Sequence, residues 1–269
     1  MVIGFVGVGR LARFMITGLR RNGDAPDIVL SPRNEQLSRT LSGLDRVERA
    51  RSNQAVVDGA DVVIISVPPM VATEVMSALR FTSGQTVISC VAGATAAEVI
   101  SYVKPANGVC AMPMGAADSL GFGVTPLFPV SPIASTVLGR LGRVRDCHSQ
   151  QEFGVLATLG GVSGALFLVS EAIIGWYVKK GCSEALAMSL FGQVLDSASA
   201  VITAHNTCGM RSIIDGVAPR NGLTRMAESM LEHEDAASLW SRILDSMHQR
   251  LTVGEPDVQT IYNDATNHR

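Results

Sequence analysis

The sequence predicts an α/β chain: a doubly wound sheet in residues 1–148, then an all-α half in residues 149–269. Three observations carry that expectation. The chain opens on a strand, a glycine turn and a helix. Short apolar runs then alternate with helical stretches as far as Met112. From about Ser149 the strand-like runs give way to long apolar helical ones.

The first element is Val2-Ile3-Gly4-Phe5-Val6, a short buried strand by its Val, Ile and Phe content. It breaks at Gly7 and Gly9, and a helix follows from Leu11, giving the spacing G-x-G-x-x-A that ends on Ala12. Gly7 permits a tight turn, Gly9 lets a pyrophosphate approach bare backbone, and Ala12 lets the helix lie close to the strand. The helix N-terminus presents unpaired N–H groups to phosphates. The stretch therefore reads as a Rossmann-type dinucleotide-binding turn.

The second strand, Asp27 to Ser31, selects the cofactor at its tip. An NAD site needs an acid there to bind the ribose 2′-hydroxyl. The tip reads Ser31-Pro32-Arg33-Asn34, and Asp27 stands at the other end. Arg33 suits a 2′-phosphate, with Ser31 and Asn34 adding hydrogen bonds, so NADP(H) is expected. Further strands are expected near Val47–Ala50, at Asp61–Val67, Gln85–Cys90 and Asn107–Met112. Their carboxyl ends gather Gly7 to Leu11, Val67 to Pro69, Val91 to Ala94 and Met112 to Gly115 around one crevice.

In the second half, helices are expected over Gly164–Lys180, Ser183–His205, Gly222–His233 and Ala236–Leu251. The segment from Glu184 to His205 is apolar on most of its circumference, with only Asp196 charged in its middle. About 120 residues do not easily hide several such helices, so an obligate homodimer through the C-terminal helices is expected. Charged residues are only 17% of the 269, which fits buried surface. Gly164 to Val178, interrupted by Ser170 and Glu171, reads as too short for a membrane span, and no membrane partner is expected. Glu171 itself is read as neutralised or bonded across a helix packing, with a buried general acid as the alternative. A net charge of −2 excludes a nucleic-acid footprint. Five scattered cysteines and no leader pattern favour a reduced, cytoplasmic protein. The last residues, from Asp264, read as a frayed polar tail.

No metal site is expected, because the five histidines form no ligand pattern beyond the isolated pair His205 and Cys208. The informative polar stretch runs from Asp215 to Arg225. Asn221 is a candidate N-cap, with the helix running on from Gly222. Bare amides at such an end hold a substrate carboxylate, and the Thr224 hydroxyl both donates and accepts hydrogen bonds. Composition alone leaves this open against an ordinary capped helix start.

Several stretches together resemble the pyrroline-5-carboxylate reductase family. They are Gly4 to Ala12, Ser31-Pro32-Arg33-Asn34, Ser52-Asn53-Gln54, Val62 to Pro69, Ala92-Gly93, Met112-Pro113 and Val217 to Glu232, in family order along nearly the whole chain. The resemblance implies a Rossmann domain, a helical dimerisation domain, and reduction of a cyclic imine by NAD(P)H. It implies an active site where the helical domain of one subunit meets the nucleotide domain of the other. It implies cofactor contacts at Gly7, Val8, Gly9, Arg10, Leu11, Ser31, Arg33, Asn53, Val67, Pro68, Ala92 and Gly93. It also implies amides of Asn221, Gly222, Leu223 and Thr224 on the substrate carboxylate, and Thr224 as proton donor or water orienter at the imine nitrogen.

The chain departs from the family on the substrate side. Met112-Pro113-Met114-Gly115-Ala116 replaces Met-Pro-Asn-Thr-Pro, Pro68 replaces a lysine, and Leu159 to Ser163 replaces a serine–glycine loop. Pro219-Arg220-Asn221-Gly222 replaces Ser-Pro-Gly-Gly. Met114, Arg220, Asn221, Gly222 and Leu223 are therefore the candidate substrate contacts, with Arg220 as a new anchor for a substrate acid. The expected reaction is reduction of pyrroline-5-carboxylate or a related, bulkier imine. One alternative is an NADPH-binding sensor. The other, a β-hydroxyacid dehydrogenase, would want a lysine on the helix after residue 162, and none appears before Lys179.

Overall fold

The computed structural model describes residues 1–253 apart from Asn22, Asn206, Cys208 and Arg220. Its strands are β1 (Val2–Val6), β2 (Asp27–Leu30), β3 (Val47–Arg49), β4 (Val62–Ile65), β5 (Thr86–Ser89), β6 (Asn107–Ala111), β7 (Gly123–Phe128) and β8 (Gly142–Asp146). The helices between them are α1 (Arg10–Leu19), α2 (Glu35–Leu41), α3 (Asn53–Asp58), α4 (Pro69–Ser77), α5 (Ala96–Val103), α6 (Ala116–Leu120) and α7 (Pro132–Leu138). After the sheet come α8 (Gln150–Leu156), α9 (Leu159–Lys179), α10 (Glu184–Ala204), α11 (Met210–Val217), α12 (Leu223–His233) and α13 (Ala236–Val253).

One eight-stranded sheet has the order β3-β2-β1-β4-β5-β6-β7-β8. The first six strands are parallel, with Phe5 opposite both Leu30 and Ile64. β7 runs antiparallel to β6, and β8 parallel to β7. Helices cover both faces, which is why Val62–Ile65 is buried at every position and reads as an unbroken apolar run. Ile3, Phe5, Met15, Ile16, Leu30 and Ile64 pack on one face, and Val6, Val56, Val63, Ile65, Val87 and Phe153 on the other. Each such fully buried side chain contributes about 1.5–3 kcal/mol. The expected doubly wound sheet and helical second half are both present, with β7 and β8 added beyond the strands expected.

The chain falls into two units, Met1–Gly160 with the stretch from Met247, and Gly161–Ser246. In α9 no residue is buried, and in α10 only Ala187 is. Phe167 (64%), Leu168 (69%) and Trp176 (56%) stand exposed on α9, and Glu171 is exposed beside them rather than bonded into a packing. The stretch Gln150–Lys179 and α10 are long and apolar enough, by length and composition only, to cross a membrane. That corrects the expectation of a run too short to span. Leu159-Gly160-Gly161 continues the helix instead of breaking it, so α9 has 21 residues. The expected frayed tail from Asp264 lies outside the described residues.

Candidate functional site

β1 delivers the chain to Gly7 at the carboxyl edge of the sheet. Gly7 has φ +95°, and a β-carbon there would lie 2.7 Å from Val67 Cγ1 and 2.8 Å from the Ser66 backbone. Only glycine fits such a turn at so close an approach. Three side chains fix it. The Gly7 N–H donates to Ser31 Oγ (3.0 Å), Ser66 Oγ donates to the Gly7 carbonyl (2.7 Å), and Asn34 Nδ2 donates to the Val8 carbonyl (2.9 Å). Ser31 is fully buried, so its hydroxyl shapes the loop rather than reaching out to a ligand. Asn34, left-handed at φ 56°, is exposed, with its side-chain amide engaged on the same loop. Ser66 was not among the candidates; a lone serine after a strand carries no spacing signal.

Gly9 is the N-cap of α1. It has no side chain to cap the helix, and the first turn carries no acid. A β-carbon on Gly9 would meet nothing within 4 Å, so the space beside the bare amides of Arg10, Leu11 and Ala12 is open. Open space, unpaired donors and a positive dipole end make an anion cradle. A dinucleotide pyrophosphate fits it.

At the tip of β2, Arg33 is exposed and makes no hydrogen bond or ion pair among the described residues. Arg49 flanks it, donating to the Pro32 carbonyl at 3.1 Å. Asp27, at the far end of β2, is held by Arg46 through contacts of 2.7 and 3.0 Å. Glu35, the nearest acid in sequence, pairs with Arg39 at 2.5 Å. The tip thus offers a free guanidinium and no free carboxylate to a ribose edge. Around the same edge stand Asn53 at the first position of α3, Val67 and Pro68 entering α4, and exposed Ala92 and Gly93. Gly93 has φ +83°, and the Leu251 carbonyl oxygen lies 3.8 Å from its would-be β-carbon.

After β6, Met114 turns its sulfur to accept the Val124 N–H at 3.3 Å, and Gly115 turns at φ +74°. The thiols at this edge are not reactive groups. Burial pushes Cys90 up, and Cys110 up to about 12.

The second constellation lies in the turn between α11 and α12. Gly222, not Asn221, is the N-cap of α12, and it has no side-chain cap bond. Asn221 instead takes the left-handed conformation at φ 65°, one residue before the cap. The Gly222 N–H donates back to the Pro219 carbonyl at 3.0 Å, leaving the next amides bare. Leu223 (81%) and Thr224 stand exposed in the first turn. Arg225 braces the turn, donating to the Ala218 carbonyl (3.1 Å) and to Asp215 (3.3 Å) while pairing with Glu228. Arg220, the expected substrate anchor, lies outside the described residues.

A parallel order β3-β2-β1-β4-β5-β6, a pinned glycine turn and an uncapped α1 define a dinucleotide-binding unit. Comparison with known proteins carries this further. Residues 2–93 match the family described as NADP oxidoreductase, coenzyme F420-dependent. Over 97% of its length the chain is 23% identical to the pyrroline-5-carboxylate reductase of Haemophilus influenzae, covering 98% of that protein. It superimposes on Plasmodium falciparum pyrroline carboxylate reductase with NADP bound at a TM-score of 0.83 and 16% identity, covering 95% of this chain and 98% of that one. A reductive aminase from Aspergillus terreus, in complex with NADPH and ethyl levulinate, gives a TM-score of 0.59 at 17% identity over 98% of both chains. The resemblance read from the sequence is thereby borne out: the chain is similar to pyrroline-5-carboxylate reductases along nearly its whole length.

Proposed function

We propose that the chain is an NADPH-dependent reductase of a cyclic imine, either pyrroline-5-carboxylate (to proline) or a related imine with a less polar surround. The observation that carries the reading is the open cradle at Gly9, bounded by bare α1 amides and continued by an acid-free β2 tip bearing Arg33. The amides would hold the pyrophosphate, and Arg33 the 2′-phosphate. The bound nicotinamide supplies a hydride to the imine carbon.

On the substrate side, the bare amides of Leu223 and Thr224 at the α12 N-terminus orient a carboxylate. The reduced nitrogen needs one proton. The exposed Thr224 hydroxyl, with no hydrogen bond to another described residue, donates it or orients the water that does. Holding electrophile and donor in register is worth about 7–11 kcal/mol of barrier, so little further machinery is required.

A second copy of the chain covers the apolar faces of α9 and α10 in this reading and brings its own α11–α12 turn to the nucleotide unit. The working form is then a cytoplasmic homodimer. Sedimentation without detergent tests that part: a monodisperse dimer supports it, and a need for detergent favours membrane-seated helices. The test of the activity is NADPH oxidation with a panel of cyclic imines, with NADH run in parallel. Tight NADPH binding with no turnover on any imine would favour a cofactor sensor.

A further inference from the structure

Asp118 is the one fully buried acid of the nucleotide unit's core among the described residues. It sits on α6, directly beneath the Met114–Gly115 turn. Its Oδ2 accepts the Gly115 N–H at 2.6 Å, and the Met114 amide is directed at the same carboxyl group. Glycines make room for it on two sides. A β-carbon on Gly18 of α1 would lie 2.3 Å from the Asp118 carbonyl. A β-carbon on Gly123, at the start of β7, would lie 1.9 Å from Oδ1 and 3.1 Å from the Leu141 carbonyl oxygen. Oδ1 has no hydrogen-bond partner. A carboxyl oxygen sealed from water with no donor favours the protonated form, because an ionised one is a desolvated charge without a partner.

We propose that Asp118 is a positioning residue for the imine site: wedged between α1 and β7, it pins the Met114–Gly115 turn at the mouth of the crevice. The inference rests on the imine-reductase reading for what docks against that turn, and on the geometry alone for the pin.

Burial pushes the Asp118 carboxyl up to about 6, against the opposing pull of the two amides. Charges on the surrounding elements are engaged elsewhere. On α1, Arg13 lies over the Phe14 ring, and just after it Arg20 binds Asp45 and the Pro26 carbonyl while the Arg21 guanidinium lies over Gly121. On the sheet side the titratable neighbour is Cys90, whose thiol burial keeps protonated. Below about pH 6 the carboxyl is neutral and Oδ2 still accepts from the turn. Above it Oδ1 becomes an orphaned charge and the pin is strained.

The test compares Asp118→Leu, which keeps bulk but loses the acceptor, with Asp118→Asn, which keeps the acceptor and supplies a donor. For Asp118→Leu we expect faster amide hydrogen exchange across residues 113–118, an imine KM raised about tenfold, and an NADPH Kd within about twofold of the parent. Asp118→Asn should restore slow exchange and an imine KM near the parent value. The ratio of its KM to that of the parent should bend near pH 6, where the substrate's own titration cancels. Unchanged exchange in folded Asp118→Leu would overturn the pin, whether or not any imine is reduced. Faster exchange with an unchanged imine KM would overturn its link to the substrate. Failure of the parent protein to oxidise NADPH with any imine would remove the reductase reading, and the exchange result would still decide the pin.

Discussion

Replacing Asp118 by Asn should change how the protein's stability depends on pH. The carboxyl is raised from 3.8 to about 6 in the folded chain by burial. A raised acid contributes stability that is fully present below the unfolded pKa and is lost as pH rises through the folded one. The window is therefore about pH 4 to about pH 7, with the parent weaker at the alkaline end. A shift of about two units corresponds to about 3 kcal/mol, and asparagine, which does not titrate, escapes it. For a unit of this size that is a swing of about 6–12 °C in Tm. The assay is thermal unfolding of both proteins across that window. The difference between the two is the readout, since Glu98 and other carboxylates held low by hydrogen bonds act on both alike and with the opposite sign. Asp118→Asn should gain on the parent steadily as pH rises. A Tm difference constant to about one degree from about pH 4 to about pH 8 would refute the buried-acid argument.

Other variants separate the parts of the site. Gly9→Ala adds a methyl to open space, so Tm should hold while NADPH Kd rises at least about tenfold, by calorimetry. Gly7→Ala, strained at φ +95° and set against Val67, should instead destabilise the fold by about 1–3 kcal/mol in denaturant unfolding. Arg33→Ala should weaken NADPH about tenfold or more and leave NADH unchanged, as read by fluorescence titration; equal losses would count against a 2′-phosphate contact. Arg225→Met frees the Ala218 carbonyl and leaves Asp215 and Glu228 to Arg211 alone, and should raise the imine KM about tenfold with NADPH Kd unmoved.

What the sequence disclosed follows from how each element is buried. β1, β4 and β5 are covered on both faces, and their Val- and Ile-rich runs stand out against polar surroundings. β7 carries Pro126 and begins at Gly123, and β8 alternates Arg143 and Arg145 outward at the sheet's edge, so neither reads as a strand. α9 starts before its expected position because two glycines that look like a turn are tolerated inside a long helix. The glycine turn was legible because its motif names its backbone geometry. Ser66 was not, since it acts through one hydrogen bond to a loop far away in sequence, and Asp118 was not, since its spacing from Gly115 marks a helix start and says nothing of its full burial. At Asn221 the residue type suggested a cap, while the left-handed backbone hands that role to Gly222.

Hydride delivery to a C=N bond under the influence of Thr224 is most directly tested by following NADPH absorbance with pyrroline-5-carboxylate and a set of bulkier cyclic imines, for the parent and for Thr224→Ala. The account predicts stoichiometric NADPH loss with formation of the cyclic amine for at least one imine. It also predicts a kcat lower by about 10²–10⁴ in the variant at unchanged NADPH affinity. Turnover that is indifferent to Thr224, or none from a protein saturated with NADPH, would contradict it.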